Sequence, residues 1–214
     1  TTSTSATSFA EDSLTGINIG TASATDPEGQ TVTFSLSGTG SENFSVDSSG
    51  NISLVNALDY ETATSYTLAL NASDGVNTTT SELIITVDDV NEAPSLTNAL
   101  AASSFAENVS TGTTIATASA SDPESQAITY SLSGTGSGNF AVDSSGNITL
   151  AAGLDYETAT SYSLTLSASD GVNTTTNTLA ISISDVNEAP SLTNALAASS
   201  FAENVATGTT IATA

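Results

Sequence analysis

The sequence predicts an all-β protein made of tandem sandwich domains. Three observations carry that reading: an internal repeat with a 96-residue offset, short runs of alternating apolar and polar residues, and turn-forming clusters between those runs. Phe9-Ala10-Glu11 returns as Phe105-Ala106-Glu107 and as Phe201-Ala202-Glu203. Asp26-Pro27-Glu28 returns at 122–124, Leu58-Asp59-Tyr60-Glu61 at 154–157, and the six residues from Asp89 to Pro94 at 185–190. Segments 9–104 and 105–200 are identical at 70 of 96 positions. The domains are expected at 1–92 and 93–188, with 189–214 as the N-terminal part of a third.

The elements follow in chain order. A first strand ends near Phe9, and Ile17, Ile19, Ala22 and Ala24 mark a second. Val32, Phe34 and Leu36 alternate with polar residues, as a half-buried strand requires. Phe44 to Val46 and Ile52 to Leu54 flank Asp47-Ser48-Ser49-Gly50-Asn51, a loop of turn formers that predicts a hairpin. Helical periodicity is confined to one turn near Glu61 to Thr64. Tyr66, Leu68, Leu70 and Ala72, then Leu83, Ile85 and Val87, complete the set. Seven short strands in about 96 residues are the rhythm of an immunoglobulin-like, Greek-key sandwich. The expected core holds Phe34, Leu36, Phe44, Ile52, Leu58, Tyr66, Leu68 and Ile85, with their counterparts 96 residues on.

Charge narrows the function. The chain has 23 Asp and Glu and no Lys, Arg or His. Nucleic acid is excluded as a partner because phosphate binding runs on Lys and Arg, and anionic membrane surfaces are excluded for the same reason. Neither Cys nor a Ser-His-Asp set is available, and no apolar run is long enough to span a bilayer. Both ends read as cuts within a longer polypeptide. A buried carboxylate has no cationic side chain to pair with, so clustered carboxylates would need a metal ion.

The positions of the acids show such clustering. Segment 97–192 holds nine, and eight fall in the recurring motifs: Glu107, Asp122, Glu124, Asp155, Glu157, Asp170, Asp185 and Glu188. Only Asp143, in the hairpin loop, does not. A merely solvated surface would spread charge over the outward strand positions, which here are Ser and Thr. The acids sit instead at strand ends and connections, which a sandwich gathers at its poles.

In these motifs the repeat resembles a cadherin domain, of the kind found in long bacterial and other microbial surface proteins. Glu11 matches the family's Pro-Glu-Asn element, Asp59 and Glu61 its Leu-Asp-Arg-Glu, and 89–94 its Asp-x-Asn-Asp-Asn-Ala-Pro linker. Asp122-Pro123-Glu124 matches its Asp-x-Asp and Asp170 its Ala-x-Asp. The resemblance implies Ca2+ between consecutive domains. The complete junction would use Glu11, Asp59 and Glu61 from repeat 1, and Asp89, Asn91 and Glu92 with the carbonyls of Val90 and Ala93 from the linker. Asp122, Glu124 and Asp170 would come from repeat 2. Asp26, Glu28 and Asp74 would serve a preceding junction, and Glu107, Asp155, Glu157, Asp185, Asn187 and Glu188 a following one. The family's three ions per junction are expected here as two to three, because Glu92 and Glu124 replace Asp. Tyr60 replaces an Arg that is no ligand, and the chain has no Trp to support strand exchange.

The expectation is an extracellular, cell-surface spacer or stalk that works through calcium and neighbouring repeats and is not an enzyme. A self-assembling filament, or a homophilic or glycan-binding adhesion module, is the alternative, with copies of the chain or surface glycans and proteins as partners. A glycosidase reading would cast Asp59 and Glu61 as the carboxyl pair, but the pair recurs in each repeat and no Trp offers a sugar platform.

Overall fold

The computed structural model describes residues 7–98, 100, 103–191 and 203–210. Repeat 1 has seven strands: β1 (Thr7–Ala10), β2 (Asn18–Thr21), β3 (Thr33–Ser37), β4 (Phe44–Val46), β5 (Asn51–Leu54), β6 (Ser65–Ser73) and β7 (Thr78–Asp88). They form two sheets, β1-β7-β6-β3 and β2-β5-β4, with β1 parallel to β7 and every other pair antiparallel. Single-residue alternation along β6 and β7 puts Leu68, Leu70, Leu83, Ile85 and Val87 inside, and their neighbours outside.

Repeat 2 repeats this plan with β9 (Ser103–Ala106), β10 (Thr114–Thr117), β12 (Thr129–Ser133), β13 (Phe140–Val142), β14 (Asn147–Leu150), β15 (Ser161–Ser169) and β16 (Thr174–Ser184). It adds a pair the sequence did not suggest, β8 (Ser95–Leu96) with β11 (Ala120–Ser121). The linker therefore runs on as a strand of repeat 2. The expected extension of the second strand to Ala24 is not seen: β2 stops at Thr21, where the Ala22 amide turns to the Gly50 carbonyl at 2.8 Å.

The core matches the expected residues at Phe44, Ile52, Leu58, Leu68 and Ile85, all buried. Phe34, Leu36 and Tyr66 pack against it half-buried, and Leu54, Leu70 and Leu83 fill its centre. Phe44 meets Tyr66 edge-on at 5.3 Å, and Phe140 meets Tyr162 likewise at 5.2 Å. Each buried Leu or Ile contributes about 1.5–3 kcal/mol. The hairpin loop closes as its composition requires. Asp47 accepts from the amides of Ser49 and Asn51, and Gly50 takes φ 81° where a Cβ would lie 2.2 Å from the Ala22 carbonyl. Asp143 does the same in repeat 2, so the one acid outside the motifs is a turn former.

The parallel β1–β7 pairing matters most for function. It sets Ala10 opposite Asp88, so the next residue, Glu11, arrives beside the start of the linker. The Glu11 amide donates to the Asp88 carbonyl at 3.1 Å, and β9 with β16 delivers Glu107 to Ser184 in the same way.

Candidate metal centre

Glu11 and Glu107 are the two buried charged side chains among the described residues. Each is held by two backbone amides. Glu11 accepts from Val90 at 2.8 Å and Tyr60 at 2.7 Å; Glu107 accepts from Val186 and Tyr156, both at 2.7 Å. The amides of Tyr156 and Val186 keep the Glu107 carboxyl below the usual range. One glutamate thus fastens the Leu-Asp-Tyr-Glu turn and the linker to the end of the first strand. The turn itself is the predicted helical one, with the Ala63 amide reaching the Asp59 carbonyl at 2.9 Å.

Around this anchor the carboxylates converge. Oxygens of Glu11, Glu61 and Asp89 lie within 4.8 Å of one another, as do oxygens of Glu61, Glu92 and Glu124. Glu61 belongs to both groups, so they adjoin, and Glu124 brings in the second repeat. At the far pole of repeat 2, Glu107 stands with Asp155 and Glu157, and also with Asp185 and Glu188.

The electrostatics are those of crowded anions. The Glu92 carboxyl is pushed up to about 8 by the Glu124 carboxylate beside it, by burial, and by the charges of Glu11 and Glu61. Glu124 is held down by the same contact. Glu61 is raised by desolvation and by Glu11, Glu124 and Asp89. Burial pushes Asp170 up, but hydrogen bonds from Asn91 and from the Val172 and Asn173 amides outweigh it and hold the carboxyl low.

Among the described residues, three buried oxygens have no hydrogen-bond partner: Glu92 Oε2, Asp122 Oδ2 and Glu124 Oε2. All three lie where the repeats meet. A buried acceptor left unpaired costs about 1–3 kcal/mol, more when charged, and no Lys, Arg or His exists to satisfy it. Cations with several oxygen ligands would satisfy such acceptors. The donor set is oxygen only, which suits Ca2+ and gives Zn2+ and Cu2+ no nitrogen or sulfur.

The other expected ligands are placed less uniformly. Asp122 Oδ1 accepts from the Gln126 amide at 2.8 Å, leaving Oδ2 unpaired. Asp59 and Asp155 are both exposed and cap their turns through the Thr62 and Thr158 amides at 2.9 and 3.0 Å, and Asp155 also joins an acid triad. In the linker Val90 is half-buried and Ala93 exposed. Asp26, Glu28 and Asp74 line a shared hollow at the opposite pole of repeat 1. Asn187 and Glu188 are exposed, while Asn91 and Glu92 are half-buried.

Two residues of the site escaped the sequence reading. Asn173 donates to the Asn91 carbonyl at 2.8 Å, and the Gln126 side-chain amide donates to Asn91 Oδ1. Asn91 in turn donates to Asp170 at 2.8 Å. Both residues recur at the repeat offset, as Asn77 and Gln30, and that recurrence was the available signal.

Two Greek-key sandwiches joined through a shared carboxylate boundary define a class of modular surface domain. The model of the Cadherin domain matches residues 5–88 and 102–184, and the chain belongs to the cadherin family. Mouse Cadherin-related family member 1 is 34% identical over 200 residues, covering 85% of this chain and 23% of that protein. The crystal structure of human Protocadherin-24 EC1-2, Form II, has TM-score 0.62 and 26% identity, covering 84% of this chain and 95% of that one. Protocadherin gammaB7 EC3-6, solved as a cis-dimer, has TM-score 0.56 and 26% identity over 85% of this chain and 46% of that one. The chain spans under a quarter of the length of the first curated relative (23%). Cadherin domains bind Ca2+ where consecutive repeats meet, and they lie outside the cell.

Proposed function

We propose that this chain is a length of calcium-stiffened spacer within a cell-surface adhesion protein, structural and not catalytic. The observation that carries the reading is the set of orphaned oxygens on Glu92, Asp122 and Glu124, gathered from linker and repeat 2. Glu11, Asp59, Glu61, Asp89, Asn91, Glu92, Asp122, Glu124 and Asp170, with the Val90 and Ala93 carbonyls, form the ligand set for two to three Ca2+. Domain limits at 92/93 and 188/189 put that set astride the boundary. Eight of these side chains are carboxylates, so the bare junction is strongly self-repelling, and the ions supply the compensating charge. The relatives named above give no support to a microbial setting, and the spacer role does not depend on it.

Calorimetric titration of the chain with CaCl2 tests this. Heat with a Kd on the order of 10⁻⁴ M, the range of extracellular modules, supports the reading; a flat trace contradicts it. Self-association is the second reading, favoured by the cis-dimer of the related protocadherin gammaB7 segment. A molecular mass that rises with concentration in calcium would favour it.

A further inference from the structure

The linker is held from both sides, and by different chemistry on each. Towards repeat 1, the Val90 amide is fastened to the Glu11 carboxylate at 2.8 Å. Towards repeat 2, Asn91 is held by neutral amides: Asn173 donates to its carbonyl at 2.8 Å and Gln126 to its Oδ1. Its own amide donates to Asp170 at 2.8 Å and to the Glu92 carbonyl at 3.0 Å.

Repeat 1 carries the counterpart of this loop. The same loop forms there, with Asp74 accepting from the Val76 and Asn77 amides at 2.7 and 2.6 Å, against 2.6 and 2.6 Å for Asp170 with Val172 and Asn173. The backbone geometry of the loop is the same in the two repeats. What differs is the side chain: Asn77 folds back onto its own Asp74 at a long 3.4 Å, whereas Asn173 reaches across to Asn91. Asn77 is exposed and Asn173 half-buried. In repeat 2 this turn residue also bonds across the boundary.

We propose that Asn173 and Gln126 are positioning residues of the junction, seating Asn91 against repeat 2 before any ion arrives. Rejecting like charge is the problem at this boundary, and an amide donor attracts the linker without adding charge or needing a cation. The Asn91 Oδ1 atom keeps a second lone pair after accepting from Gln126 and stays available as a ligand. With Val90 fastened to repeat 1 and Asn91 to repeat 2, bending in the absence of metal is confined to the Val90–Asn91 connection. Calcium then braces a short hinge in place of ordering a whole linker, which lowers the entropic cost of binding.

The proposal rests on the calcium reading above, but its test separates the two. The backbone heteronuclear NOE of Asn91 in the 214-residue chain is measured first in chelator, then calcium is titrated. In chelator the wild type should show Asn91 as rigid as the strands, while Asn173→Ala and Gln126→Ala lower its NOE and Asn77→Ala does not. In calcium the first two variants should bind about five-fold more weakly, the worth of a net hydrogen bond, with Asn77→Ala unchanged. Unaltered NOE and affinity in both Asn173→Ala and Gln126→Ala would overturn the proposal. Gln126→Ala leaves the Gln126 backbone bond to Asp122 intact, so the test stands even if Asn173→Ala misfolds its turn. Loss of calcium binding by wild type with the NOE pattern intact would instead overturn the calcium reading alone.

Discussion

Glu11 and Val90 are separated by 79 residues and joined by one hydrogen bond of 2.8 Å. The relation is copied at Glu107 and Val186, at 2.7 Å. Each glutamate sits at the end of a strand paired in parallel to the last strand of its repeat, so the sandwich topology itself aims the carboxylate at the departing linker. The other oxygen takes the amide of Tyr60 or Tyr156. One side chain thus combines this structural role with the proposed ligation.

This combination predicts that Glu11→Ala destabilises repeat 1 even without metal. Two buried amides lose their acceptor, at about 1–3 kcal/mol each, offset in part by relief of repulsion among the acids. A net loss of about 2 kcal/mol in urea denaturation with chelator is expected. Equal stability of variant and wild type would contradict it.

Asp89 contributes charge to the Glu11–Glu61 group. Asp89→Asn should therefore leave repeat 1 stable and weaken calcium binding about ten-fold, since affinity follows ligand charge. Calorimetry together with thermal denaturation in chelator checks both halves.

The raised Glu92 carboxyl makes the metal-free junction pH-sensitive. The Glu92 carboxyl is raised from 4.5 to about 8 in the folded protein. A raised folded value means stability is fully present below the unfolded pKa and is lost as pH rises through the folded one. In chelator, the thermal midpoint should fall between roughly pH 5 and pH 8.5. In calcium the trend should reverse, because the ligands bind metal deprotonated. Glu92→Gln should flatten the decline in chelator.

Asp143 offers the opposite case. Its carboxyl accepts from the amides of Ser145 and Asn147 and lies outside every acid group. Asp143→Ala should cost repeat 2 about 1 kcal/mol and leave calcium stoichiometry and affinity untouched. A calcium effect would assign this loop to the metal centre.

The fold was legible because period-two alternation and turn chemistry are local. Tyr66 to Ala72 and the Asp-Ser-Ser-Gly-Asn loops say how they fold without help from distant residues. The β8–β11 pair was not legible, because Ser95–Leu96 is too short to show a period and its partner lies 24 residues away. At the site the acids stood out by type and recurrence. The Asn173–Asn91 bond did not, since a half-buried amide in a Ser/Thr/Asn-rich chain gives no compositional signal, and its partner is a backbone carbonyl 82 residues earlier. Asp59 and Asp155, alike in sequence, cap their turns in the same way, through the Thr62 and Thr158 amides.

Small-angle scattering of the 214-residue chain in calcium and in chelator addresses the central claim most directly. The carboxylate boundary predicts a longer maximum dimension and a straighter particle with calcium, and a shorter, bent average without it. Superimposable profiles under the two conditions would contradict the claim that bound ions stiffen the joint between these domains.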